Sequence, residues 1–234
     1  MDNLNPYDKE SFKEEFPNTE HYRLIKELYP TAELSYDPIH SIVCTREELF
    51  LDHNIIDVTP FYYLQYLNPD VTVYDFGCGF NFFKPFFKNL VGIDPYDERA
   101  DKDDLIDSTY YAEHKSCYDS AFSINALHFV PAVYLPNVCE QFAMMLKPGC
   151  TGFITFNMTR MLEVSASMRY VRHIDYKSSS YKWTPDINDS FLEPWVRKQF
   201  DNFSHEIKVF DVSLSSAVDQ YLNGNVRLVI TRSS

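Results

Sequence analysis

The chain has little that would point to a secreted, metal-bound or membrane-spanning protein. Its five cysteines are odd in number and irregularly spaced, which gives neither a disulfide framework nor a zinc pattern. Reduced thiols in a cytoplasmic protein are the expectation. No cluster of His, Cys and carboxylates has metal-ligand spacing. The most apolar stretch, Ala121–Val138, is interrupted by Asn125, His128, Pro131 and Pro136, so no membrane span is expected. The polar, acidic start MDNLNPYDKESFKEEF does not read as a signal peptide. Bases are scarce: 21 Lys and Arg stand against 34 Asp and Glu, a formal net charge of −13. The first seventy residues carry much of that excess, with 14 acids and 5 bases. A field of this sign does not favour loose binding to nucleic acid.

What is present is apolar and aromatic. Hydrophobic residues make up 45% of the chain, with 19 Phe and 17 Tyr, enough for one α/β domain with additions. The most telling segment is Val73–Asn81, VYDFGCGFN, followed by VGIDP at Val91–Pro95. A strand-like run ends at an acid, Asp75, and leads into Gly77 and Gly79. A second run ends at a second acid, Asp94. Strand, glycine turn, short helix, strand and acid is the order that builds a nucleoside site in a Rossmann-like sheet. The glycines let the backbone pass close to a ligand. The second acid is placed to accept hydrogen bonds from two ribose hydroxyls.

The turn also discriminates between ligands. A dinucleotide fingerprint needs a third glycine at the sixth position, where this chain has Phe82 amid Phe80 and Phe83. An acid just before the turn repels phosphate and suits a cation. With these residues the chain resembles the class I S-adenosylmethionine (SAM)-dependent methyltransferases, whose first motif is an acid followed by alternating glycines. Tyr118–Pro131, YDSAFSINALHFVP, resembles the family's fourth strand and the segment after it. Met145–Asn157, MLKPGCTGFITFN, resembles its Leu-Lys-Pro-Gly turn and fifth strand. The chain departs from the pattern at Asn81, which replaces a third glycine. It departs again between Asp94 and Tyr118, where there is no room for a full helix before a third strand.

The resemblance implies a SAM site formed by Asp75, Gly77, Cys78, Gly79, Asp94, Pro95, Asp107 and Asn125, with S-adenosylhomocysteine as product. Asp75 would hold the ammonium end and Asp94 the ribose. Asp107 is a candidate for the adenine amino group, in competition with Asp101, Asp103 and Asp104. Asn125 would stand at the ligand edge of the sheet. His128 is a candidate general base, or a structural histidine, since displacement from a sulfonium needs mainly an in-line acceptor. There is no Asn-Pro-Pro-Tyr motif for amino methylation of a DNA base, and no Lys-Asp-Lys-Glu set for ribose methylation.

The expected architecture is a Rossmann-like, mostly parallel central sheet with flanking helices, antiparallel terminal strands and an N-terminal helical extension. Residues 1–70 read as a peripheral helical lid, with a helix capped by Asn18 or Thr19, another opened by Thr45-Arg46-Glu47-Glu48, and a third opened by Thr59-Pro60. Tyr22, Tyr29, Tyr36, Tyr62 and Tyr63 are either lid residues or packing against the sheet. Residues 71–234 form the core. Its expected elements include a short helix over Asn81–Asn89, a third strand at Leu105–Asp107, helices at Ser108–Lys115 and Ala132–Leu146, and a terminal hairpin turning at Asn223-Gly224. An insertion, residues 159–203, mixes bases with Tyr170, Tyr176, Tyr181, Trp183 and Trp195. It is the expected acceptor-binding or lid region. The acceptor expected is a small molecule or a protein side chain, with RNA as the alternative and a degenerate SAM-binding structural protein as a third reading.

Overall fold

The computed structural model describes residues 8–36, 55–65, 67–68, 70–124, 126, 135–157, 173–175, 180–182, 201, 203, 205–217 and 221–233. Capping residues start the first helices. Asp8 accepts from the Ser11 N–H at 3.2 Å and opens α1 (Lys9–Glu15). Thr19 accepts from Tyr22 N–H and opens α2 (Glu20–Leu28), which stops before Pro30. Two short strands, β1 (Glu33–Ser35) and β2 (Ile55–Asp57), then pair in parallel. The next helix, α3 (Thr59–Leu64), has Val58 as its cap rather than the expected Thr59. Asp57 supplies the bond instead, accepting from the Thr59 N–H at 2.8 Å and the hydroxyl at 2.5 Å. The Thr45 capping box lies outside the described residues.

The central sheet follows. Its strands are β3 (Val73–Phe76), β4 (Leu90–Ile93), β5 (Tyr118–Ile124) and β6 (Leu146–Asn157). Past β7 (His173–Asp175) and β8 (Ser180–Lys182), which pair as a separate antiparallel ladder, come β9 (Glu206–Ala217) and β10 (Tyr221–Thr231). The spatial order is β4-β3-β5-β6-β10-β9. The first four strands are parallel, and β10 runs antiparallel to both β6 and β9. The chain leaves β3 for β4 on one side and returns to β5 on the other. The carboxyl ends of β3 and β5 therefore flank the switch point of the sheet, where α/β folds bind ligands.

Several sequence expectations are corrected. The helix expected over Asn81–Asn89 is only a 3-10 turn at Lys84–Phe86, because Pro85 and the left-handed backbone of Asn81 (φ 61°) leave no room to propagate α-helical bonds. Leu105–Asp107 is not a strand. Asp107 instead caps α4 (Ser108–Glu113), accepting from Thr109 N–H and Tyr110 N–H. The terminal hairpin does not turn at Asn223-Gly224. Those residues lie inside β10, opposite Ser215 and Leu214, and the first pair of the ladder is Tyr221 with Ala217. The helix expected at Ala132–Leu146 is α5 (Leu135–Met145) within the described residues.

Aromatic rings fill both faces. On one face α4 and α5 cover the sheet, with Phe76 meeting Phe142 edge-on at 6.0 Å and Tyr118 at 5.4 Å. On the other, the described part of the N-terminal segment packs into the core. Phe12, Phe16, Phe61 and Tyr63 share one buried cluster with Phe82, Phe83, Phe122 and Phe153. Tyr63 stacks on Phe153 at 4.9 Å and 12°, and Phe83 meets Phe122 edge-on at 5.4 Å. Each such ring contributes roughly 1.5–3 kcal/mol by burial, so this face is a main source of stability. Tyr62 and Tyr63 are buried, and Tyr22, Tyr29 and Tyr36 pack against the same cluster.

Candidate functional site

The site grows from the turn after β3. Gly77 (φ 75°), Gly79 (φ 53°) and Asn81 (φ 61°) all take left-handed backbone, so the chain reverses tightly at alternate residues. Asn81 is one of two described non-glycine residues with a positive φ. The N–H groups of Gly77 and Cys78 both donate to the carbonyl of Ile93, at 2.8 and 3.2 Å, and hold the turn against the end of β4. The need for glycine at 77 has a local cause: a Cβ there would stand 2.1 Å from the Cβ of Ala126. The sequence predicts clearance for a ligand here; among the described residues the atoms that a Cβ would meet are those of Ala126.

Asp94 follows β4 and ties two loops together. Its Oδ2 accepts from Gly79 N–H at 3.1 Å and its Oδ1 from Tyr96 N–H at 2.8 Å. A carboxylate has about four acceptor positions, so each oxygen retains one for a further donor. Pro95 and the ring of Tyr96, which is 89% exposed, continue this rim. Asp75 lies across the ladder from Gly92 and is 2% exposed. Among the described residues it receives no hydrogen bond, and burial first, then the Asp94 carboxylate, push its pKa well above the usual carboxylate range. Cys78 is also buried, and its thiol is pushed up by burial and by the surrounding acids. Burial disfavours its thiolate.

The outer edge of β4 shows what replaced the missing third strand. A single parallel bridge joins Ile93 to Lys102. Asp94 N–H donates to the Lys102 carbonyl, and the N–H groups of Asp101 and Lys102 donate to the Gly92 carbonyl. Side chains complete the ladder. The Asp101 carboxylate accepts from Gly92 N–H at 2.8 Å, and the Lys84 ammonium donates to the Leu90 carbonyl at 2.6 Å. Lys84 and Asp101 then pair at 2.6 Å. Burial works against the charge of Asp101, but Lys84 and the Gly92 N–H hold its pKa below the usual value. Asn81 Nδ2 closes the assembly by donating to the Arg99 carbonyl at 2.9 Å. The spacing of Lys84 and Asp101 in the chain carried no signal for this role.

The structure thus brings Asp75, Gly77, Cys78, Gly79, Asp94 and Pro95 together at the switch point. It does not bring Asp107 to them as the end of a strand. Asn125 and His128 lie outside the described residues, as do Arg169, Arg172, Lys177 and Trp183 of the insertion. Among the described residues no group of His, Cys and carboxylates is arranged to hold a metal ion. Nor is any helix there long and apolar enough to cross a membrane.

The strand order and the two switch-point strands define the fold class. The chain has a Rossmann-like fold. No protein-family model and no curated protein matches it. Solved structures with a likeness to it include a SAM-dependent methyltransferase from Methanosarcina mazei, at 17% identity and TM-score 0.47 over 76% of this chain and 100% of that one. A SAM-dependent methyltransferase from Archaeoglobus fulgidus is 10% identical, with TM-score 0.45 over 91% and 100%. One from Mesorhizobium loti is 16% identical, with TM-score 0.37 over 68% and 90%.

Proposed function

We propose that the chain is a class I SAM-dependent methyltransferase acting on a small molecule or a protein side chain. The observation that carries this reading is a buried carboxylate, Asp75, just before the alternating-glycine turn, with the Asp94 carboxylate accepting from that turn at Gly79. The residues fit the cofactor. Asp75 is a buried acceptor that no described residue satisfies, which suits an ammonium group. Asp94 keeps acceptor capacity on both oxygens, which suits a pair of ribose hydroxyls. SAM supplies an electrophilic methyl on a sulfonium. The chain's part is to bind, orient and exclude water: Asp94 fixes the turn and the rim while it binds, and the aromatic layer under Phe82 and Phe83 keeps the turn rigid. A phosphate-bearing dinucleotide does not suit a site with two acids and no glycine at Phe82.

The acceptor side of this reading comes from the sequence. The 159–203 insertion is proposed to bind the acceptor, with residues 1–70 as a lid and His128 as a candidate general base. The β7–β8 ladder, which pairs His173 with Lys182, belongs to that insertion. The reduction of the third strand to one bridge at Lys102 favours a second reading, a SAM-binding protein that does not turn over. Calorimetry with SAM, then a coupled assay for S-adenosylhomocysteine against pools of small molecules, proteins and RNA, separates the two. Binding with turnover supports the enzyme. Binding without turnover on any pool supports the second reading, and no binding by the folded chain rejects both.

A further inference from the structure

We propose that Asp75 is a proton-exchange site: its carboxyl is held neutral when the site is free, and it gives up its proton to solvent as a cationic ligand binds. The ligand half of this inference rests on the SAM reading above, and the proton half does not. Asp75 sits in the middle of the sheet, paired in register with Gly92 of β4 and Phe122 of β5, neither of which carries charge. Its side chain is almost wholly removed from water, and among the described residues no donor reaches it. Such a carboxylate has neither solvent nor hydrogen bonds to stabilise its charge.

The neighbouring titratable groups deepen that penalty. Asp94, from the end of β4, acts on it as a like charge. Cys78, on the turn, has its thiol pushed up by burial first and then by the surrounding acids, so it offers Asp75 no positive charge. Lys84 is engaged by Asp101 and the Leu90 carbonyl on the outer edge of β4. The face that covers Val73 and Phe122 is phenyl-rich, built from Phe82, Phe83 and Phe86. Arg227 of β10, also buried, donates to the Thr59 hydroxyl and lies over the Tyr63 ring. Among the described residues no cation pairs with Asp75, and the ligand's ammonium then supplies one. With no hydrogen bond and no cation beside it among the described residues, Asp75 keeps its proton until that cation arrives.

The balance is simple. The O–H bond of the Asp75 carboxyl breaks, the proton goes to water or buffer, and the carboxylate pairs with the ligand's ammonium. No oxidant or further reactant is needed. The consequence is a cofactor affinity that rises with pH, by about tenfold per unit below the pKa of the free protein, and levels off above it. A ligand that keeps the adenosine but lacks the ammonium, 5′-methylthioadenosine, should release no proton and show a flat profile.

The test has two arms. First, carbon-detected NMR follows the carboxyl carbon of Asp75 in the free protein, and a titration far above that of the exposed Glu and Asp residues is expected. Second, calorimetry measures SAM binding near neutral pH in phosphate and in Tris, whose ionisation enthalpies differ. Proton release is expected for wild type and none for Asp75→Asn, which keeps the shape and the neutral charge and should fold. The wild type should also lose thermal stability as pH rises, because the folded state keeps a proton that the unfolded state has lost; Asp75→Asn should not. An Asp75 that titrates in the ordinary carboxylate range overturns the inference whatever SAM does. Equal proton release from wild type and variant also overturns it. A high-titrating Asp75 in a protein that binds no SAM upholds the proton site and rejects the function proposed above.

Discussion

Replacing Gly92 by alanine tests how the turn, the sheet edge and the loop are held as one unit. A Cβ at 92 would lie 2.5 Å from Asn81 Oδ1, 2.8 Å from Asn81 Cγ and 2.8 Å from Cys78 Sγ. These are distances that no real methyl group tolerates, so Asn81 must move. It is not free to do so, since its Nδ2 donates to the Arg99 carbonyl and its backbone is fixed in the left-handed region. Overpacking of this kind costs about 1–3 kcal/mol. Loss of the Arg99 bond adds about 0.5–1.5 kcal/mol. Gly92→Ala should therefore lower the stability by roughly 2–4 kcal/mol in urea unfolding followed by circular dichroism. Asn81→Gly alone should be close to neutral, because the lost bond is offset by about 1–2 kcal/mol of relief at a positive φ. The double variant removes the worst contact and leaves only Cys78 in the way. It should recover more than 1 kcal/mol relative to the sum of the single effects, a coupling well outside the ~0.5 kcal/mol expected of independent sites. Additive effects, or a Gly92→Ala variant as stable as wild type, would refute this packing.

Further expectations follow from the same geometry. Asp94→Ala should weaken SAM binding at least about tenfold by calorimetry, since it removes acceptors for hydrogen bonds worth roughly 1.5–3 kcal/mol each; unchanged affinity in a folded variant would remove Asp94 from the site. Gly77→Ala should unfold or severely destabilise the chain, because its Cβ meets that of Ala126 at 2.1 Å on a backbone with φ 75°; a normal melting temperature would show that this segment is not packed as described. His21, whose ring lies 5.1 Å from Phe61 and 5.9 Å from Phe87, has its pKa lowered by burial. The unfolded state then binds the proton more tightly, so stability should fall as pH drops from about 6.5 through the folded pKa, and His21→Leu should flatten that part of the melting profile.

The parallel core was legible because its cues are local. Val73–Phe76 and Leu90–Ile93 are apolar runs ended by punctuation, and Gly77 and Gly79 fall where the backbone turns left-handed. The same locality explains the errors. Asn223-Gly224 has the composition of a hairpin turn, but β10 is long enough to carry it as an interior pair, and the ladder with β9 overrides the dipeptide. Asp107 sits after an apolar residue pair as the end of a strand would, yet the helix behind it needs a cap, and two N–H groups claim its carboxylate.

What could not be read was substitution of one kind of structure by another. The short Asp94–Tyr118 segment predicted that a helix would be lost and a strand kept. The chain does the reverse of the second part: it gives up the strand and keeps its hydrogen bonds. Asp101 and Lys84 place a carboxylate and an ammonium where a neighbouring strand would have put a carbonyl and an N–H. A charged pair at a sheet edge also blocks the pairing of that edge with another chain. In sequence, Lys84 beside a proline and Asp101 in a run of acids look like ordinary solvated charges. Only the register of β4, which turns the backbone of Leu90 and Gly92 outward, gives them work. The same edge supports Asp94 through the Lys102 carbonyl and Asn81 through the Arg99 carbonyl, so the pair that replaces the strand also supports the turn and the ribose end of the proposed cofactor site. Lys84→Met should therefore act on the site at a distance. It should weaken SAM binding together with stability, and a variant that lost stability but kept full affinity would separate the edge from the site.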